Sequence, residues 1–111
     1  MEVFFRHRKL QKQCNSENDM LRAFGKQRAE KLKNRLAELR ALANVAQIPT
    51  TPPPRRHELS GNRQGQISVD LDHPYRLVFI PANDPVPIKP DGGLDLTQVT
   101  AVEILEIVDP H

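Results

Sequence analysis

Apolar residues change their spacing midway along the chain. Between residues 16 and 44, Leu21, Phe24, Leu32, Leu36, Leu39 and Ala43 recur at steps of three and four, with Arg28 or Ala29 filling the gap. That spacing gathers them on one face of a helix, as a stripe to cover a sheet. Ser16 with Asp19 three positions on resembles a capping box, with Asp in place of the usual Glu or Gln. It predicts a helix beginning near Ser16 and running to about Asn44. Ahead of it, Val3 to Phe5 predicts a short strand, and Arg6 to Cys14 a short helix with Leu10 inward. Gly25 costs about 1 kcal/mol relative to Ala in a helix interior, so a close contact is expected there.

After Pro49 the pattern changes. Thr50-Thr51-Pro52-Pro53-Pro54 lacks backbone donors at its prolines and favours extended chain, so residues 49–56 read as a stiff connector. Beyond it the alternation has a period of two. Gln66 to Leu71 sets Ile67, Val69 and Leu71 on one face. Asp72-His73-Pro74 is a turn signal, and Tyr75 to Ile80 the returning strand. Residues 81–97, rich in Pro, Gly and Asp, read as a long loop. Val99 to Val108 predicts the last strand, with Val102, Ile104 and Glu106 in one alternation and Leu105 and Ile107 in the other. A strand apolar on both faces belongs inside its sheet. The expected fold is α+β: a short N-terminal strand and two helices packed on one face of an antiparallel sheet.

Composition narrows the class. A chain of 111 residues is the size of one domain, here spanning 1–111. With 27% charged and 38% hydrophobic residues it suits a globular protein. No apolar run approaches the roughly 20 residues of a membrane span. The start, Met1-Glu2-Val3-Phe4-Phe5-Arg6, has too short an apolar core for a signal peptide. A cytoplasmic protein without membrane contact is expected. The single cysteine, Cys14, offers no internal disulfide, and four spaced histidines offer no metal-ligand pattern. Neither metal nor cofactor is expected.

The net charge of +2 hides an asymmetry: residues 1–63 hold 14 Lys and Arg against 6 Asp and Glu, while residues 64–111 hold 2 against 8. A basic half can meet a phosphate backbone or an acidic partner, or can simply be the wet face of an amphipathic helix.

The stretch from Arg55 to Gln66 holds Arg55, Arg56, His57 and Arg63 around a glycine turn that enters a strand. Arg76 lies on the hairpin partner, and Asp109-Pro110-His111 closes the last strand. Antiparallel strands can bring these ends to one patch. RNA cleavage through its own 2′-hydroxyl needs one group to remove that proton, one to protonate the leaving 5′-oxygen, and cations for the charge between. Histidine serves either proton transfer near neutral pH, and arginine forks match phosphate oxygens. His57 and His111 with Arg63 and Arg76 make such a set, and Asp109 would orient a histidine or share the base role. Plainer readings stand beside these. Arg55 and Arg56 would solubilise a loop, Arg63 and Arg76 would pair with Asp70 or Asp72, and a terminal His111 would fray.

The same residues resemble a known family. His57-Glu58-Leu59-Ser60-Gly61-Asn62-Arg63-Gln64-Gly65-Gln66-Ile67-Ser68-Val69 is similar to a signature of RelE-superfamily toxins of the HigB, or plasmid maintenance killer, branch. Tyr75-Arg76-Leu77-Val78-Phe79 looks like that branch's aromatic-arginine strand. Val102-Glu103-Ile104 and Glu106-Ile107-Val108-Asp109-Pro110-His111 look like its terminal motif, partly repeated. Residues 1–48 resemble the helical part of proteins labelled killer suppression proteins. The resemblance implies a small RelE-like fold and a type II toxin that cleaves mRNA in the ribosomal A site by metal-free acid–base chemistry. Its implied partner is a helix-turn-helix antitoxin, with a toxin–antitoxin heterotetramer as one expected assembly. His57, Asp109 and His111 fall on the family's catalytic positions. Arg63 and Arg76, with Arg55 and Arg56 beside them, fall on phosphate contact or support. Pro110 stands where the family has tyrosine, removing a stacking ring and a hydroxyl. That departure keeps open a non-enzymatic inhibitor of the gyrase-poison type on the same scaffold, and an inactive antitoxin-binding regulator.

Overall fold

A computed structural model describes residues 1–109; Pro110 and His111, the second of them an expected catalytic residue, lie outside the described residues. The elements run β1 (Glu2–Phe5), α1 (Arg8–Gln13), α2 (Glu17–Phe24), α3 (Lys26–Ala41), β2 (His57–Glu58), β3 (Ile67–Asp70), β4 (Arg76–Pro81) and β5 (Ala101–Val108). Short 3-10 turns occupy Val45–Gln47, Gly61–Arg63 and Leu96–Gln98. The strands make one sheet in the order β1-β5-β4-β3-β2, antiparallel except that β1 lies parallel to β5. A parallel pair needs a long crossover, and the three helices lie within it. The α+β class holds; the added parallel edge strand makes the sheet mixed.

The predicted cap forms: Ser16 Oγ accepts from the Asp19 N–H at 3.1 Å. The single long helix does not. Gly25 adopts φ 80°, ψ 168°, a conformation open to almost no residue but glycine, and splits it into α2 and α3. No atom lies within 4 Å of where its Cβ would stand, so Gly25 marks a change of direction rather than a close contact. The break re-phases α2: Met20 faces the core while Leu21 is 49% exposed. On α3 the stripe holds, with Leu32, Leu36 and Leu39 fully covered against Ile67, Val69, Leu77, Phe79, Val102 and Ile104. Each such burial is worth about 1.5–3 kcal/mol.

Two arginines tie α3 to the hairpin beneath it. Buried Arg35 donates through Nε to the Asp70 carbonyl at 2.9 Å. Arg28 donates to both Asp72 carboxylate oxygens at 3.0 and 3.2 Å and lies 3.7 Å from the centre of the Tyr75 ring. This cation–π contact and bidentate pair hold the β3–β4 turn, where Tyr75 N–H returns to the Asp72 carbonyl at 2.8 Å.

Three segments depart from the expected course. The connector 49–56 turns instead of running extended: the Arg55 and Arg56 N–H groups reach the Thr51 and Pro49 carbonyls at 3.1 and 2.9 Å. Loop 81–97 folds into a small hairpin, with Ile88 bridged to Leu94 and Lys89 N–H donating to Gly93 O at 2.7 Å. In β5 the register shifts: Val78 pairs with Glu106 but Phe79 pairs with Ile104, leaving Leu105 as a bulge. One extra residue inverts the alternation after it. Ile107 therefore joins Val102 and Ile104 at the core, and Glu106 faces the opposite side, the reverse of the expected assignment for both. No helix among the described residues is long and apolar enough to cross a membrane.

Candidate active site

Because Ile67, Val69, Leu77 and Phe79 turn toward α3, the residues between them turn away, by the pleat of the strands. Two rows cross the sheet on this outer face. In one, His57 pairs with Ser68, Ser68 with Val78, and Val78 with Glu106. In the other, Asp70 pairs with Arg76 and Arg76 with Val108. Three strand spacings separate His57 from Glu106, roughly 14 Å. Ser68 and Val78 in the middle of that row are fully covered, and His57 and Glu106 at its two ends are exposed.

The arginines reach this face by three routes. Arg76 stands on β4, with Nε 3.5 Å from Asp70 Oδ1 and Nη1 3.5 Å from Ser68 Oγ. Arg55 arrives through the proline turn, because the Pro54 carbonyl accepts the Asp70 N–H at 2.8 Å and draws the turn against the end of β3. Its Nε and Nη2 then donate to both Asp70 oxygens at 2.7 and 3.0 Å. That hydrogen bond raises the Arg55 pKa above its ordinary value and keeps the group cationic. Arg55 is held at φ 46°, a left-handed conformation that a side-chain residue adopts at a cost. Arg63 comes from the Gly61–Arg63 turn between β2 and β3, where Gly65 at φ 89° lets the chain double back. Its Nη1 donates to Gln66 Oε1 at 2.9 Å, and its Nη2 reaches Glu106 Oε1 at 3.4 Å across the sheet.

The expected residues therefore divide. His57, Arg63 and Arg76 share the outer face, with His57 exposed. Arg55 joins them through Asp70. Arg56 is taken up by the backbone, its Nε donating to the Ile48 carbonyl at 3.0 Å. Asp109 follows directly on Val108, the partner of Arg76, and so leaves the sheet at the end where β2 begins. His111 lies outside the described residues. The plainer pairing of Arg76 with Asp70 is present as well, so Asp70 orders two of the four guanidinium groups. Glu106 was absent from the sequence-based set. Only the bulge at Leu105 turns it outward, and a bulge leaves no mark in an alternation of Val, Ile and Glu.

The arrangement offers an accessible imidazole and two guanidiniums whose carboxylate contacts are long, Arg63 to Glu106 at 3.4 Å and Arg76 to Asp70 at 3.5 Å. No family model matches the chain, and no curated protein matches it. Among solved structures it is similar to a YoeB/ParE toxin from Agrobacterium tumefaciens, with a TM-score of 0.57 and 11% identity over 100% of each chain. At that identity the likeness establishes fold: the chain has the small α+β architecture of RelE/ParE-type toxins.

Proposed function

We propose that residues 1–111 act as one toxin domain of a type II toxin–antitoxin pair, of the HigB-like branch, cleaving mRNA in the ribosomal A site without a metal or cofactor. The observation that carries this reading is the outer-face row from His57 to Glu106, flanked by Arg63 and Arg76, on a toxin-type sheet. One of the two imidazoles, His57 or His111, takes the proton of the 2′-hydroxyl. The 2′-oxygen then attacks phosphorus, the bond to the 5′-oxygen breaks, and the other imidazole protonates that oxygen. The products are a 2′,3′-cyclic phosphate and a free 5′-hydroxyl. Asp109 orients His111, while Arg63 and Arg76 take the charge that grows on the non-bridging oxygens. Arg55 and Arg56, though engaged by Asp70 and the Ile48 carbonyl, add positive charge at the margin of the RNA path.

Arg63 supports this role because its contact to Glu106 is long, and the Glu106 side chain is 46% exposed. Exposed pairs of that kind contribute little stability, so a phosphate replaces the carboxylate at small cost. A helix-turn-helix antitoxin is the expected partner, in a heterotetramer and in the cytoplasm.

The test is induction in cells with primer-extension mapping of transcripts. The wild-type chain should arrest growth and leave discrete cuts, whereas His57→Ala and His111→Ala should abolish both while keeping their circular dichroism. Full toxicity of both variants would overturn the catalytic assignment. Broken DNA with intact transcripts would identify the gyrase-poison mode instead. Harmless expression with tight antitoxin binding would identify a regulator.

A further inference from the structure

β1 covers only the first half of β5. Its last paired residue, Phe5, faces Ile104, and the Arg6 N–H makes the final bond to the Ile104 carbonyl at 3.0 Å. From Leu105 to Val108, β5 has β4 on one side and no strand on the other. The chain turns after Arg6 into α1, and α1 and the end of α2 come to lie beside this open stretch. Between them is a groove of about 310 Å³ whose apolar walls are Leu10, Phe24, Leu105 and Ile107. His7 and Lys9 line its rim on one side and Glu106 on the other. Glu106 thus belongs both to this groove and to the Arg63 contact on the outer face.

The segment that walls the groove on one side is basic, although of its charged residues only Lys9, with His7, lines the groove itself. Arg6, His7, Arg8, Lys9 and Lys12 fall within seven residues that contain no acid, and all five are exposed. Arg6 pairs with Glu103. Arg8, Lys9 and Lys12 have no ion-pair partner among the described residues. An apolar slot with an aromatic wall, an unpaired lysine at its rim, further unpaired cations on the same helix and a carboxylate that only accepts hydrogen bonds is complementary to one nucleotide of single-stranded RNA. A base would fit between Phe24 and the aliphatic walls, with its phosphates toward Lys9.

We infer that the groove between α1 and the free flank of β5 is a nucleobase subsite, holding a nucleotide that neighbours the cleaved bond. This inference rests on the RNA-cleaving reading of the outer face and assigns that reading a second contact region. It also gives the chain a place to hold a base although Pro110 supplies no aromatic ring. Glu106 sets a preference: cytosine, adenine and guanine present amino groups to a carboxylate, while uracil offers only its ring N–H.

The experiment measures binding of short 2′-O-methyl homopolymers, which cannot be cleaved, to the purified chain by fluorescence anisotropy across a salt series. Oligo-U should bind weakest. Lys9→Ala should weaken all four about tenfold or less and lower the log–log salt slope by about one. Glu106→Gln should level the base preference, and Gln13→Trp, a bulky change at another residue lining the groove, should abolish it. Lys89→Ala, on the distant 81–97 hairpin, should change nothing. Photocrosslinking with a thio-substituted oligonucleotide should label residues 7–13 or 105–107. Equal effects of Lys9→Ala and Lys89→Ala, or crosslinks confined to residues 57–76, would overturn the subsite while leaving transcript cleavage in cells intact. So would capture of an extended antitoxin peptide in the groove, or failure of every oligonucleotide to bind. Loss of transcript cuts with retained base-selective binding would instead sink the cleavage reading alone.

Discussion

The two faces of the sheet use the same residue types for opposite ends. On the helix-covered face, Arg35 is 3% exposed and donates to a main-chain carbonyl at 2.9 Å, and Arg28 grips Asp72 with both arms while lying on Tyr75. On the outer face, Arg63 donates to Gln66 at 2.9 Å but reaches Glu106 only at 3.4 Å, and Arg76 reaches Asp70 and Ser68 at 3.5 Å. The first pair is committed to structure, because removing either leaves buried acceptors unpaired. The second is held loosely enough to change partners. Arginine content alone would not distinguish them; what distinguishes them is how completely each fork is satisfied.

The covered face should break first under truncation. Phe79→Ala removes a ring that is 0% exposed from the centre of the core. It should cost about 3–5 kcal/mol, read as a lowered urea midpoint. Retention of the wild-type midpoint would mean that the core does not rest on this layer.

A paired substitution sharpens the contrast. Arg35→Ala should cost about 2–3 kcal/mol, since it exposes no new partner for the Asp70 carbonyl and forfeits the buried stem. Arg63→Ala should cost less than about 0.5 kcal/mol in folding. It should nonetheless slow RNA cleavage by about a hundredfold or more if its fork stabilises the transition state. Equal stability losses would dissolve the distinction between the two faces.

That distinction was only partly legible in the sequence. The β3–β4 hairpin could be read because Ile67, Val69, Leu77 and Phe79 alternate without interruption and Asp72-His73-Pro74 names its own turn. His57 and Arg76 stood out through the resemblance, and their common patch through the meeting of antiparallel strand ends, with no face assigned to either. The helix break was hidden because Gly25 sits inside a run whose apolar steps continue on both sides, and no local signal reports its backbone angle. The two-residue strand β2 is too short to carry a period. Glu106 turned outward through a bulge set by pairing with β4, a tertiary choice. Asp70 was read as a possible ion-pair partner, but its part in holding Arg55 depends on a proline turn packing against β3.

The helix layer offers a smaller test. At Gly25 there is space for a Cβ but the backbone angle is unfavourable, so Gly25→Ala should destabilise by about 1–3 kcal/mol through strain alone. If the variant were more stable than wild type, α2 and α3 would be joining into the single helix that the apolar spacing describes. Met20 would then lose its place in the core.

The smallest effect expected on the covered side comes from Cys14. Burial pushes its thiol up to about 11 from an ordinary 9.0, with Arg40 opposing weakly. The folded chain thus holds the proton more firmly than the unfolded chain does. That stabilisation is complete below pH 9 and is lost as pH rises through 11. At pH 10 the loss should be about 1.4 kcal/mol, since each tenfold difference in proton affinity is worth that amount. The measurement is the difference between wild type and Cys14→Ala in urea midpoint from pH 8 to 10.5, in which contributions common to both chains cancel. A gap that narrows with rising pH supports a buried, neutral thiol under α3. A gap independent of pH would mean that the thiol is as open to solvent as the residues of the outer face.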